Sequence, residues 1–183
     1  MTTPTRDIPS IDWPAAEAEV TRHLQNLLRL QTVNPPGNET LANSYIRDQL
    51  AEVGIESDLL EAQPGRANLL ARWRGDDTAR PLLLMGHVDV VPAEAAYWSH
   101  PPFAGEIADG FLWGRGAVDM KNIVAIHLTI VRLLKRSGVT LPRDILLACC
   151  ADEEAGSDYG MEWVAENHFD RVDAEYALSE GGG

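Results

Sequence analysis

Apolar residues recur at helical spacing in several segments of this chain, which predicts amphipathic helices. Ser10 and Asp12 stand near the start of the first segment as candidate capping groups. Pro35, Pro36 and Gly37 end the helical pattern that precedes them, because proline and glycine interrupt a helical hydrogen-bond ladder. The predicted helices run from Trp13 to about Leu30, from Glu39 to Val53, from Asn122 to Lys135 and from Met161 to Asn167.

Short apolar runs between these segments predict β-strands. The strands are expected at Ile55–Leu60, Asn68–Trp73, Pro81–Met85, Asp144–Ala151 and Ala174–Leu178. The stretch from Val91 to Gly114 is rich in proline, glycine and aromatic residues, which indicates a long ordered loop with a short hairpin around Asp109 and Gly110. Strands that alternate with helices predict an α/β fold, in which a mostly parallel sheet carries helices on both faces. The chain has no internal repeat or clear linker, so residues 1–183 are expected to form one domain.

Composition narrows the class of protein without identifying its chemistry. The chain is 45% hydrophobic and 23% charged, as is usual for a globular protein that lies outside the membrane. Its formal net charge of -13 opposes binding to nucleic acid and to anionic membrane surfaces. The N-terminus lacks the apolar core of a signal peptide, and no stretch approaches the length of a membrane span, so a cytoplasmic location is expected.

The two cysteines, Cys149 and Cys150, are adjacent at the end of an apolar run. Neighbouring side chains on a strand point to opposite faces of a sheet, so this pair does not indicate a disulfide framework. We expect two buried and inert thiols.

Acidic residues and one histidine follow the ends of three predicted strands, which finish at Met85, Ala151 and Leu178. In open α/β sheets, ligands bind at the carboxyl edge of the strands, so these side chains are expected to converge. Imidazole and carboxylate groups suit zinc and similar divalent ions, and an acidic cluster of this size would repel itself without cations. The candidate residues are His87, Asp89, Asp119, Glu153, Glu154 and Glu180.

Taken one at a time, these residues have simpler interpretations. His87 and Asp89 could lie in an ordinary turn, and Asp119 could be a helix N-cap. Glu153 and Glu154 could form a solvated acidic loop. A dinucleotide site at the glycines near Asp119 is disfavoured, because the third glycine of that fingerprint is absent. The coincidence of all the candidates at one sheet edge favours the metal site.

The candidates suggest a division of labour. His87 and Asp89 stand two residues apart, so one can bind metal while the other orients it or the catalytic base. Of the adjacent glutamates, one can coordinate while its neighbour acts as a base towards water. The remaining histidines are placed outside the site: His23, His100, His127 and His168.

An ordered series of motifs resembles the M20 family of metallopeptidases and amidohydrolases, which includes aminoacylases, acetylornithine deacetylases, desuccinylases and glutamate carboxypeptidases. The resemblance covers roughly residues 80 to 183. Its motifs are Gly86-His87-Val88-Asp89-Val90-Val91-Pro92, Trp98-Ser99 with Pro102-Phe103, Asp109-Gly110 with Gly114-Arg115-Gly116-Ala117-Val118-Asp119-Met120-Lys121, and Asp152-Glu153-Glu154-Ala155-Gly156.

The resemblance implies a three-layer αβα zinc-exopeptidase-like catalytic domain that holds two divalent ions, zinc in the first instance, with cobalt or manganese as alternatives. It implies that His87 and Glu180 bind one ion, that Asp119 bridges both and that Glu154 binds the second. Asp89 would orient His87, and Glu153 would be the general base. The family also leads us to expect a cis peptide bond between Asp119 and Met120.

The resemblance further implies hydrolysis of an amide or peptide bond in a small peptide or an N-acylated amino acid. The family takes another ligand for its second ion from a histidine late in the chain, beyond a lid and dimerisation domain, through which the complete enzyme would form a homodimer. On this basis, residues 1–183 are expected to be the N-terminal portion of a catalytic domain that is incomplete at its C-terminus and has little or no activity alone. Two alternatives stay open: a zinc aminopeptidase of the broader exopeptidase class, and a non-catalytic metal-binding remnant.

Overall fold

The computed structural model describes residues 10–180. Its helices are α1 (Trp13–Arg29), α2 (Thr40–Ala51), α3 (Lys121–Arg136) and α4 (Met161–His168). Its strands are β1 (Ser57–Glu61), β2 (Ala67–Trp73), β3 (Leu82–His87), β4 (Glu106–Ala108), β5 (Phe111–Trp113), β6 (Ile145–Cys150) and β7 (Tyr176–Leu178).

The main sheet has five strands in the order β1-β2-β6-β3-β7. β6 and β7 both pair with β3 in parallel, whereas β2 pairs antiparallel with both β1 and β6. Within the described part of the chain, β2 therefore runs opposite to the other four strands of this sheet. The sheet is mixed, and its parallel part, β6-β3-β7, consists of the strands that end at the candidate residues.

Helices cover both faces of the sheet. On one face, Leu27 of α1, Ile46 of α2 and Leu128 of α3 are fully buried in one apolar core with the strand residues Leu69 and Leu147. On the other face, Val164 of α4 packs in a smaller core against the opposite side of the same strands. The alternation of strand side chains supplies both cores, since successive residues of a strand point to opposite faces. The three-layer α/β architecture predicted from the sequence is confirmed.

Each predicted helix and strand is present, with ends that differ by at most two residues. Asp12 caps α1 as expected, because its carboxylate accepts a hydrogen bond from the backbone N–H of Ala15 at 3.1 Å. The loop from Val91 to Gly114 contains the predicted hairpin, formed by β4 and β5 around Asp109 and Gly110. Among the described residues, no helix is both long enough and apolar enough to cross a membrane.

The two cysteines are free and buried, as predicted. Burial raises the pKa of both thiols, to about 12 for Cys150 and further for Cys149. Both therefore stay protonated at neutral pH.

Candidate metal centre

Three parallel strands deliver the candidate residues to one edge of the sheet. His87 is the last residue of β3 and lies level with Cys150, the last residue of β6. The acidic pair Glu153 and Glu154 begins three residues after the end of β6, and Glu180 comes two residues after the end of β7. Because parallel strands end at the same edge, residues far apart in sequence meet there.

His87 lies at the centre of this group. Its imidazole is buried, and its Nε2 atom is 3.0 Å from Oδ1 of Asp119. The same nitrogen is 3.7 Å from Oε2 of Glu153 and 3.6 Å from Oε1 of Glu180. One imidazole nitrogen therefore faces three carboxylates.

Asp119 reaches this point from the segment just before α3. The peptide bond between Asp119 and Met120 is cis, as expected from the sequence. Met120 is buried, and its Sδ atom accepts a hydrogen bond from the backbone N–H of His87 at 3.3 Å. Lys121 is also buried, and its ammonium group donates to the backbone carbonyls of Leu27 and Leu30 at the end of α1. These contacts fix the start of α3 relative to β3 and α1.

Asp89 lies beneath the site and is fully buried. Its Oδ1 atom is 3.2 Å from Nδ1 of His87 and accepts from the backbone N–H of Glu153 at 3.2 Å. Its Oδ2 atom accepts from the backbone N–H of Glu154 at 3.1 Å and from the amide of Asn34 at 2.8 Å. Nδ1 of His87 also lies 3.0 Å from the backbone carbonyl of Asp89. Asp89 thus orients the imidazole through its carboxylate and its backbone carbonyl, and its carboxylate holds the peptide segment that carries both glutamates.

The electrostatics of the site favour a cation. Burial alone would lower the pKa of His87, but the carboxylates of Asp89, Asp119 and Glu153 outweigh it and raise that pKa to about 9. Burial also raises the pKa of Glu154 and of Glu180, and the nearby charge of Asp119 adds to the effect. Positive charge in the site is therefore stabilised, whether it comes from a proton or from a metal ion.

The donor set fits a divalent metal ion. His87, Asp119 and Glu154 each offer one ligand atom, and these atoms lie within 4.8 Å of one another. His87, Glu153 and Glu180 form a second such group. Zinc bonds to nitrogen and carboxylate oxygen are about 2.0–2.2 Å long. Donors 3.0 Å and 3.6 Å apart, as Nε2 of His87 is from Asp119 and Glu180, can therefore share one ion.

The structure brings all six predicted site residues together. The division of ligands between two ions stays a prediction, because both groups of donors contain His87 and the separations alone assign no carboxylate to one ion. Among the described residues, the other histidines lie outside these groups. His23 contacts Tyr45, His100 contacts Glu106, and His127 is buried within α3.

Four residues that surround the site were not among the candidates identified from the sequence: Glu39, Arg66, Asp152 and Asn34. Asn34 donates to Asp89 and also to Asp152, at 2.9 Å. Arg66 donates to Asp152 at 2.7 Å and donates two hydrogen bonds to Glu39, one to each carboxylate oxygen. Each stands beside a turn, and their contacts span long separations along the chain, so hydrophobic periodicity carries no sign of them.

Known proteins resemble this chain in sequence and in fold. The model of peptidase family M20/M25/M40 matches residues 83–183, which include every candidate residue. Aminoacylase-1 of Sus scrofa is 38% identical over 157 residues, which are 84% of this chain and 39% of that protein. Succinyl-diaminopimelate desuccinylase of Paracoccus denitrificans is 36% identical over 147 residues, 76% of this chain and 37% of that protein. The chain thus spans about two fifths of the length of these relatives.

Solved structures show the same fold. A metallo-carboxypeptidase of the M20 family from Sulfolobus solfataricus superposes with a TM-score of 0.78 at 23% identity, over 90% of this chain and 38% of that chain. Human carnosine dipeptidase 1 superposes with a TM-score of 0.77 at 24% identity, over 92% of this chain and 39% of that chain.

Proposed function

This chain belongs to peptidase family M20/M25/M40, and from that premise we propose that it supplies the metal ligands and the general base for hydrolysis of an amide or peptide bond. One observation carries the proposal: a buried imidazole at the carboxyl edge of the sheet faces several carboxylates from separate elements. A set of donors that converges in this way is typical of a divalent metal site rather than of a solvated acidic surface. The residues concerned are His87, Asp119, Glu153, Glu154 and Glu180.

We assign His87, Asp119 and Glu180 to one divalent ion, and Asp119 together with Glu154 to a second. Membership of the family supports the first assignment, and the separations of 3.0 Å and 3.6 Å from Nε2 of His87 to Asp119 and Glu180 are compatible with it. Membership of the family likewise supports the second assignment, and the potential ligand atoms of Asp119 and Glu154 lie within 4.8 Å of each other. Zinc suits this mixture of imidazole and carboxylate, and cobalt or manganese would also be accepted. Bound ions would supply Lewis acidity, which polarises the scissile carbonyl and lowers the pKa of water in the site.

Glu153 is the proposed general base. More than half of its side chain is exposed, at 53%, so water can reach the carboxylate, which lies 3.7 Å from Nε2 of His87. Asp89 accepts a hydrogen bond from the backbone N–H of Glu153 and thereby fixes the backbone position from which the Glu153 side chain extends. In this role Glu153 accepts a proton from the attacking water and donates it to the leaving amine.

The proposed substrate class is the N-acylated amino acids, with small peptides second. The relatives above 30% identity include an aminoacylase, a desuccinylase and a deformylase, names that denote removal of an acyl group from nitrogen. The dipeptidase among the structural neighbours is 24% identical and supports the fold alone. Amide hydrolysis with a carboxylate base and polarised carbonyl is the chemistry that these substrates share.

The second ion would receive fewer protein ligands than the first. Within residues 10–180, the proposed ligands of the second ion are Asp119 and Glu154, whereas catalytic zinc sites usually have three protein ligands. We therefore propose that the 183-residue chain binds its second ion weakly and turns over substrate slowly or not at all. Measurable wild-type turnover by this chain alone would contradict that part of the proposal.

Hydrolysis is tested in a chimera. Residues 1–183 replace the aligned part of pig Aminoacylase-1, and the chimera is assayed with N-acetyl and N-succinyl amino acids and with unblocked dipeptides. We expect metal-dependent release of the amino acid from an N-acyl substrate, and loss of that activity with Glu153→Gln. A chimera that folds and binds metal but cleaves none of these substrates would contradict the proposed hydrolysis. Cleavage of dipeptides alone would instead favour the aminopeptidase alternative.

A further inference from the structure

A continuous chain of buried hydrogen bonds leads from the start of α2 to the carboxylate of Asp89. Arg66, just before β2, donates its Nε to Glu39 at 2.7 Å and one Nη2 hydrogen to the same carboxylate at 2.8 Å. The Nη2 atom also donates to Oδ1 of Asp152 at 2.7 Å. Arg66 is 7% exposed, and Glu39 is fully buried. Charge-assisted contacts with this planar geometry are stronger and more directional than neutral hydrogen bonds.

Asp152 connects this arginine to the acidic pair that follows it. The residue has a left-handed backbone with a φ of 60°, and its backbone N–H donates to Glu39 at 3.2 Å. Its Oδ2 atom accepts from the backbone N–H of Tyr159 at 3.1 Å. Hydrogen bonds through the backbone N–H and through the carboxylate of Asp152 therefore fix the peptide that precedes Glu153.

Asn34 completes the connection. Its side-chain nitrogen donates to Oδ2 of Asp89 at 2.8 Å and to Oδ1 of Asp152 at 2.9 Å. An amide group has two N–H donors, and here both are used between two carboxylates. The reverse orientation would place the amide oxygen against two carboxylates, so electrostatics fixes the direction of this side chain.

The charges explain why the chain needs Arg66. Glu39, Asp89 and Asp152 are all buried carboxylates, and Arg66 touches two of them directly. Buried carboxylates without a cation would be strongly destabilising. The loop closes tightly over the guanidinium: a Cβ atom added at Gly37 would lie 2.2 Å from Nε of Arg66. Loss of Arg66 would therefore leave Asp152 and Glu39 without the cation that pairs with them.

We propose that Arg66 is a positioning residue for the metal centre, acting through Asp152 and Asn34 on Asp89. Asp89 in turn fixes the imidazole of His87 and the peptide that carries Glu153. This inference rests on the proposed function, since it states that Arg66 increases the affinity of the site for the first divalent ion. Contacts behind the ligands of a metal commonly change its affinity about 10- to 100-fold.

Co²⁺ titration of the 183-residue chain tests the proposal. Affinity is measured by competition with a chromophoric chelator, and the visible absorption of bound Co²⁺ reports the ligand geometry. The variants are Arg66→Gln and Asn34→Ala, and the matched control is Arg72→Gln. Arg72 lies near the far end of β2, the strand that Arg66 precedes, and pairs with Asp144 at 2.5 Å at the opposite edge of the sheet. Thermal melts of the metal-free proteins identify a temperature at which all of them are folded.

We expect Co²⁺ to bind Arg66→Gln and Asn34→Ala about 10- to 100-fold more weakly, with an altered visible spectrum, and to bind Arg72→Gln within about two-fold of wild type. If Arg66→Gln does not fold, Asn34→Ala decides, because it leaves the contact between Arg66 and Asp152 in place. Unchanged affinity and spectrum in the folded variants would overturn the positioning role alone. An equal loss in Arg72→Gln would also overturn it, since it would reflect stability only. Failure of the wild-type chain to bind Co²⁺ would overturn the proposed function and this inference together.

Discussion

The Nε2 atom of His87 lies 3.0 Å from Oδ1 of Asp119, although 32 positions separate the two residues in the sequence. The first belongs to the end of β3, and the second stands just before α3. The His87 side chain is 2% exposed and that of Asp119 is 64% exposed. A buried imidazole and an accessible carboxylate thus meet at the sheet edge, where an ion can approach from solvent.

Asp119→Asn is expected to weaken Zn²⁺ or Co²⁺ binding by more than about 100-fold, because it removes the proposed shared ligand and its charge. The fold should persist, since most of this side chain is in solvent. Chelator competition measures the affinity, and circular dichroism checks the fold. Asp109→Asn in the β4-β5 hairpin is the control, with an exposed carboxylate and a left-handed backbone that asparagine tolerates. Equal affinity of wild type and Asp119→Asn would contradict the ligand assignment.

Glu153→Gln should separate metal binding from turnover. The amide cannot accept the proton of water, so turnover in the aminoacylase chimera should fall about 10²- to 10⁴-fold. The metal content should stay the same, because Glu153 is not one of the proposed ligands. Steady-state kinetics and metal analysis of the same preparation measure both. Full activity in this variant would remove Glu153 from its role as base.

The elements of the fold could be predicted from hydrophobic periodicity alone, but their arrangement could not. The spacing of apolar residues in 13–30 and 122–135 locates α1 and α3 within two residues. The antiparallel direction of β2 was not predicted, because its run of buried residues, apolar except for Asn68, faces both sides of the sheet and carries no sign of its neighbours. Strand order depends on contacts between distant segments, which a single sequence does not reveal.

The residues of the candidate site also fall into those that the sequence predicted and those that it did not. His87 and Glu153 could be predicted because each lies at or near the carboxyl end of a strand, and the strand ends of one sheet converge. Asn34 and Arg66 could not, since their contacts with Asp89 and Asp152 span between 55 and 118 positions. Asn34 stands before two prolines, where the sequence indicates only the end of a helix. Residues that support a site leave a weaker pattern than those that bind the metal.

The protein should lose stability in acid, because the ion pairs of Glu19 with Arg132 and Arg136 are lost when its carboxylate is protonated. Hydrogen bonds from Arg136 and Arg132 outweigh burial and lower the pKa of Glu19 from 4.5 to about 2. A carboxylate whose pKa is lowered on folding adds stability above its ordinary pKa, and this stability is lost as the pH falls from 4.5 towards 2.

Glu19→Gln should therefore lower the free energy of unfolding at pH 7 by about 3 kcal/mol, because it leaves two arginines near a buried neutral amide. The difference from wild type should shrink as the pH falls from 4.5 towards 2. Urea unfolding at several pH values measures it. Glu17→Gln, an exposed position on the same helix, should behave like wild type. A difference that does not depend on pH over this range would argue against the ion pairs as its cause.

The adjacent cysteines should be unreactive in the folded protein. Cys149 and Cys150 are 1% and 3% exposed, and burial raises the pKa of both thiols. Since the thiolate is the reactive form, Ellman's reagent should label them slowly at pH 8. In guanidinium chloride, both cysteines should react. Rapid labelling of the native protein would show that β6 opens readily.

The most direct measurement is anomalous diffraction at the zinc absorption edge from crystals of this chain grown with Zn²⁺. We expect one anomalous peak within bonding distance of Nε2 of His87 and of the carboxylates of Asp119 and Glu180, and a weaker second peak beside the carboxylate of Glu154. A Zn²⁺-containing crystal with no peak at His87, or with zinc bound only elsewhere on the surface, would contradict the metal centre and the hydrolysis proposed from it.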